Sequence, residues 1–220
     1  MCLQWFKNVI ISGRDCLRAL DGLRYNRRTG SDNIREDVGR YAMKRKKNII
    51  LIGFMGSGKT SIGLKLSYKL QTPVEDTDKL IEQREGRSIS DIFAKEGEEY
   101  FRELETALLK EIKERNYVRI LSVGGGTPVR QENRELLKQC GMVVYLRIQP
   151  ETVYERLKND TTRPLLQCED PLAKIRTLLE ARKDAYEECA DIILDVDGYS
   201  AEELVGQLVE KIEGKRENRE

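Results

Sequence analysis

The sequence predicts an α/β fold in three layers, a parallel sheet with helices on both faces, and three observations predict it. From Asn48 onward short apolar runs alternate with longer charge-rich stretches, the pattern of strands joined by crossover helices. The first run, Asn48-Ile49-Ile50-Leu51-Ile52, is apolar throughout after its first residue, as expected of a strand covered on both faces. A Gly-rich segment follows at once, and beyond it Ile62, Leu66 and Leu70 recur every fourth residue on one helical face.

The remaining elements read in order. A helix is expected from Lys59 to Leu70, a second strand over residues 73–76, and two or three helices between Thr77 and Arg115, broken near Gly86 and Gly97. Strands resume at Val118 to Val123, Met142 to Ile148 and Asp191 to Leu194. Helices are expected at Asn133 to Gln139, Pro150 to Lys158, Pro171 to Glu188 and Ala201 to Ile212. Five strands result, each joined to the next by a crossover.

Composition narrows the chemistry. Among 220 residues there is no histidine, which removes His-based acid/base catalysis and any His-containing zinc site. The five cysteines are scattered and form no Cys-x-x-Cys pair, so neither a disulfide framework nor a thiol redox motif is expected, and a cytoplasmic location fits. No apolar run approaches the roughly 20 residues of a membrane span. The net charge of +1 hides an asymmetry: residues 1–47 hold 12 Lys or Arg against 5 Asp or Glu, while the rest holds 27 against 33. Residues 1–47 lack sustained periodicity and end in Lys44-Arg45-Lys46-Lys47. They read as a basic extension that is disordered or reflects an early start, with Met43 as an alternative start, and not as a signal or transit peptide. A basic run of this kind is ordinarily a solvated arm, so neither a membrane nor a nucleic-acid partner is expected. Residues 48–214 form the expected domain and 215–220 a charged tail. The nine tyrosines and Trp5 receive no functional assignment.

The decisive motif is Gly53-Phe54-Met55-Gly56-Ser57-Gly58-Lys59-Thr60, which matches G-x-x-x-x-G-K-[ST] between a strand and a helix. Such a loop turns successive backbone N–H groups toward a β-phosphate at a helix N-terminus. Lys59 is placed to reach the β- and γ-phosphates and Thr60 to ligate magnesium, so ATP with Mg2+ is the expected nucleotide; Ser61 continues the same turn. Asp76-Thr77-Asp78 closes the second strand. Read as extended, it points both carboxylates one way, toward magnesium or a substrate hydroxyl; an acidic turn capping the next helix is the alternative. Gly124-Gly125-Gly126 ends another strand and allows direct backbone contact with a ligand, although a plain tight turn has the same look. Thr161-Thr162-Arg163-Pro164 lies in a polar stretch, about 158–170, that reads as a lid whose arginine can neutralise developing phosphoryl charge.

Together the segments GFMGSGKTSIG (53–63), DTD (76–78), RSISDIFAKEGEEYFRELE (87–105), GGGT (124–127), TRPLL (162–166) and EARKDAYEECAD (180–191) resemble the shikimate kinase family in order and spacing. The resemblance implies a sheet order of 2-3-1-4-5 and transfer of the ATP γ-phosphate to the 3-hydroxyl of shikimate, in aromatic amino-acid biosynthesis. It assigns Thr60 and Asp76 to magnesium, Lys59 to the phosphates, Asp78 to the shikimate hydroxyls, and Arg156 to the adenine side. Arg102 and Arg182 match a carboxylate clamp, Gly124 to Gly126 its backbone contacts, and Arg163 the lid arginine. A planar guanidinium suits a carboxylate bidentately. On Glu-rich helices Arg102 and Arg182 could instead pair with neighbours such as Glu98 and Glu187. A gluconate-type sugar-acid kinase and a non-catalytic kinase-like binding protein are the competing readings, and a monomer is expected.

Overall fold

The computed structural model describes residues 47–160 and 168–217, with side chains to 214. The basic segment 1–46, the central part of the expected lid at 161–167, and 218–220 lie outside the described residues, and Arg163 with them.

Strand β1 (Asn48–Ile52) is buried along its whole length. Helix α1 (Lys59–Leu70) follows the Gly-rich loop and buries Ile62, Leu66 and Leu70, the three positions the four-residue spacing selects. Next come β2 (Val74–Asp76), α2 (Thr77–Glu85) and α3 (Ile89–Lys113). Gly86 ends α2 in a left-handed conformation and Ser88 caps α3 by accepting from Asp91 N. Gly97, at φ 84° and ψ 178°, is not helical and divides α3 into two helical segments about a kink, the break its sequence suggests.

Strand β3 (Ile120–Ser122) is shorter than expected, and a 3-10 turn at Thr127–Val129 follows the triple glycine. Then come α4 (Gln131–Cys140), β4 (Gly141–Arg147), α5 (Pro150–Leu157), α6 (Pro171–Cys189), β5 (Ile192–Asp195) and α7 (Ala201–Glu217). Pro150 and Pro171 each open a helix, where a missing N–H costs nothing. Helix α7 runs past Ile212, into the first residues read as a charged tail.

All strand pairs are parallel and the order is β2-β3-β1-β4-β5. Each crossover leaves its strand at the same edge, and the direction of winding reverses at β1. Loops after β1, β2 and β3 therefore meet at one edge, where open α/β sheets bind ligands. The apolar cluster beneath that edge joins Ile50, Ile52, Leu121, Val123 and Tyr145 from the sheet to Ile92, Phe101, Leu108 and Ile112 of α3. Among the described residues no helix is long and apolar enough to cross a membrane, and Cys140, Cys168 and Cys189 are free thiols.

Candidate active site

One cavity of about 700 Å3 at this edge collects residues from the segments after β1, β2 and β3 and from helices α3, α5 and α6. It is lined by Gly56 to Ser61 from the Gly-rich loop, Asp76 and Asp78, Arg102 and Glu105, Gly124 to Gly126, and Arg156 and Arg182. Gly53 lies at the start of the same loop, its carbonyl accepting from Lys59 Nζ at 2.8 Å. Apart from Arg163, every sequence-selected residue is thus in or beside one cavity.

On the nucleotide side, Gly58 takes φ 90° where the loop turns into α1, a left-handed conformation that a Cβ disfavours. Lys59 Nζ also donates to the Phe54 carbonyl at 3.0 Å, so its ammonium is held over the loop. Ser57 Oγ is buried with no hydrogen-bond partner among the described residues, a polar atom in a loop whose geometry suits phosphate oxygens. Thr60 and Ser61 are exposed at the start of α1. Arg156 donates to the Gly56 carbonyl at 2.8 Å, which ties α5 to the loop.

The two aspartates come together by a route other than the one their spacing implies. Asp76 ends β2, but Asp78 is already in the first turn of α2. The pair is not two residues along one extended strand, and the capping alternative is realised. Asp76 Oδ1 accepts from Asp78 N at 3.1 Å and from Lys79 N at 3.3 Å, as an N-cap does. Asp78 itself turns inward, and its Oδ1 is buried without a hydrogen-bond partner among the described residues. Burial, and then the negative charges of Asp76 and Glu105, push its pKa up from 3.8 to about 6 against the pull of Lys59 and Arg102.

On the acceptor side, side-chain ends approach the backbone closely at Gly124 and Gly126. A Cβ on Gly124 would lie 2.8 Å from both Asp78 Oδ1 and Glu105 Oε1, and one on Gly126 would strike the Arg102 guanidinium. Arg102 does pair with Glu98, at 2.8 Å, the i,i+4 partner that competes for it in the sequence. It also donates to Glu105 at 2.6 Å. Burial works against its charge, but Glu105 and Glu98 outweigh that and raise its pKa. Arg182 makes no such pairing: Glu187 faces Arg147 instead. The Arg182 guanidinium reaches the Gly125 carbonyl at 3.5 Å and lies over the Phe54 ring, 5.6 Å from its centroid.

Four participants escape the sequence reading. Glu105 is almost wholly buried, holds Arg102, and accepts from Thr127 Oγ1. Thr77 accepts from Gly124 N at 3.3 Å and donates to the Ser122 carbonyl at 3.4 Å, fastening the aspartate loop to the glycine loop. Asn133 is buried, donating to the Thr127 carbonyl at 3.1 Å and accepting from Thr106 Oγ1 at 2.7 Å. Tyr186 donates to the Gly125 carbonyl at 2.5 Å. Helical spacing was the available signal for two of them, since Glu105 is three residues beyond Arg102 and Tyr186 four beyond Arg182.

A strand, a Gly-rich loop and a helix N-terminus at the switch point of a 2-3-1-4-5 parallel sheet define a P-loop nucleotide-binding domain. Comparison with known proteins is narrower. A sequence profile described as Shikimate kinase matches residues 55–213. A shikimate kinase of Symbiobacterium thermophilum is 40% identical over 172 residues, 77% of this chain and 98% of the relative. One of Enterococcus faecalis is 45% identical over 168 residues, 76% of this chain and 98% of the relative. Among solved structures, shikimate kinase from Acinetobacter baumannii in complex with shikimate superimposes with a TM-score of 0.75 at 38% identity, covering 81% of this chain and 98% of that one. The chain belongs to the shikimate kinase family.

Proposed function

We infer that the protein transfers the γ-phosphoryl group of ATP to the 3-hydroxyl of shikimate, giving shikimate 3-phosphate and ADP. The observation that carries this reading within the family is the meeting, in one cavity, of a P-loop lysine, a buried carboxylate and two arginines. A sugar-acid kinase is disfavoured by the family match, and a non-catalytic binding protein by the retention of Lys59 and Asp78.

The residues divide the work by chemistry. Arg102 and Arg182 flank the glycine loop and offer planar donors to the substrate carboxylate. Asp78, placed beyond them, accepts a hydrogen bond from the acceptor hydroxyl and takes its proton as the oxygen bonds to the γ-phosphorus and the bond to the ADP oxygen breaks. A carboxylate titrating at about 6 is ionised at neutral pH and more basic than an exposed one. Lys59 and the loop N–H groups balance phosphate charge, and Arg156 covers the adenine side.

Magnesium fits the oxygen donors present. Thr60 Oγ1 and Asp76 Oδ2 would hold it, directly or through water, and among the described residues no cluster of three or more acidic, Cys or His ligands competes. An ion that takes one or two protein oxygens and completes its shell with phosphate and water suits such a site, where it neutralises charge on the phosphates. A monomeric protein at work in the cytoplasm completes the reading.

The test is a coupled ADP-release assay with magnesium and ATP, run with shikimate and, in parallel, with gluconate. Turnover dependent on shikimate is expected. Turnover on gluconate alone, or on neither, would overturn the assignment.

A further inference from the structure

Tyr186 lies in the 180–191 segment without a role of its own in the sequence reading, yet it is the largest fully buried side chain among the described residues, at 0% exposure. Its ring packs against that of Tyr145, tilted by 32° with centroids 5.0 Å apart, which restricts where the hydroxyl points. That hydroxyl donates to the Gly125 carbonyl at 2.5 Å, the same oxygen that Arg182 Nη1 approaches at 3.5 Å. Arg182 and Tyr186 are one helical turn apart on α6, so a single helix face delivers both donors to a single acceptor.

The consequence runs through the peptide plane. No peptide among the described residues is cis, so the N–H of Gly126 points opposite to the Gly125 C=O that Tyr186 holds. Gly126 Cα closes that plane, and a Cβ on it would strike the Arg102 guanidinium. The Gly125 backbone also faces the nucleotide loop, since a Cβ there would lie 3.3 Å from the Gly53 carbonyl oxygen. Thr77 holds the Gly124 end of the triple glycine, and Tyr186 holds its middle, between the two clamp arginines and the phosphate loop. Burial raises the phenol pKa to about 12, against the opposing charges of Arg182 and Arg102, so the group remains a donor throughout the working pH range.

We propose that Tyr186 is a positioning residue for the acceptor: its hydroxyl fixes the Gly125–Gly126 peptide and, through the shared carbonyl, the direction of the Arg182 guanidinium. The inference rests on the shikimate reading, and assaying the unaltered chain in parallel separates the two. Loss of shikimate turnover by that chain counts against the function. Normal behaviour of the variant in an active protein counts against Tyr186 alone.

The experiment compares Tyr186→Phe, Arg182→Ala and the double variant of the full chain by steady-state kinetics, with Tyr145→Phe as a control that keeps the ring contact. Removal of the hydroxyl should raise the shikimate KM roughly three- to ten-fold, the effect of one lost hydrogen bond, and leave the ATP KM within about two-fold. In the Arg182→Ala background the same change should add less than about two-fold, because the two side chains act through one carbonyl. A lowered melting temperature with unchanged shikimate KM would reduce Tyr186 to core packing. Effects that multiply independently would break the link to Arg182. Should Tyr186→Phe not fold, 3-fluorotyrosine at position 186 retains the donor. Its fluorine resonance should shift when shikimate saturates the protein, and a resonance indifferent to shikimate would refute the proposal.

Discussion

Asp78 carries the sharpest single-residue consequences, because its environment opposes the charge that the role proposed for it requires. In the ligand-free protein its pKa stands at about 6 against an ordinary 3.8, and the cause is burial reinforced by Asp76 and Glu105. Below pH 3.8 the carboxyl is protonated whether the chain is folded or not, and it exacts no penalty. As pH rises from 3.8 to 6 the unfolded chain releases a proton that the folded one retains, so stability falls, by about 3 kcal/mol at most. Asp78→Asn should therefore melt higher than the parent at pH 8 without ligands, with the gain shrinking toward pH 4. Its turnover should meanwhile fall by orders of magnitude, because the proton acceptor is gone. Equal melting temperatures at both pH values, or near-normal turnover, would show that the carboxylate is neither strained nor used.

At the scale of elements, Asp76 caps α2 through its Oδ1, and the magnesium role proposed for it is a second task that its sequence leaves as an alternative. The two tasks separate by substitution. Asp76→Asn keeps a capping oxygen but not the charge, so it should melt within a few tenths of a kcal/mol of the parent yet need more magnesium for half-maximal rate. Asp76→Ala should add a loss of about 1 kcal/mol of stability. Thermal melts beside a magnesium titration decide this, and an unchanged magnesium requirement in both variants would leave the residue a cap only. The same contrast shows which elements were legible. Helix α1 followed from Ile62, Leu66 and Leu70 at their spacing, and the Gly-rich loop from its flanking strand and helix. The break at Gly97 was legible as well, since a glycine takes the φ of 84° found there, whereas the packing of both segments into one cluster, Ile92 on one side and Phe101 and Leu108 on the other, was not. The 3-10 turn after the glycines depends on Asn133 and Glu105 gripping Thr127 from other helices, contacts that no local pattern reports.

For the whole molecule, the site is assembled by topology: loops far apart in sequence meet because each strand of the 2-3-1-4-5 sheet ends at one edge. Residues whose chemistry a motif declares were legible, whereas Thr77, Asn133 and Tyr186 act through hydrogen bonds to distant segments that no local pattern reports. The matched family profile and every described site residue lie beyond Lys47. A chain beginning at Met43 should thus retain the full rate, checked by assaying it beside the complete chain; a large loss would give residues 1–42 a part in catalysis. Arg102 is a poor probe of substrate identity, since its removal would leave the buried Glu105 unpaired and damage the fold itself. Arg182 has no carboxylate partner among the described ion pairs. The most direct measurement is shikimate affinity in Arg182→Ala and in the parent, repeated with an analogue whose carboxylate is reduced to an alcohol. Shikimate should bind roughly ten- to a hundred-fold more weakly to the variant, the worth of one charge-assisted contact, while the alcohol should lose far less. Equal losses for the two ligands, or none, would contradict a carboxylate clamp and the shikimate site built on it.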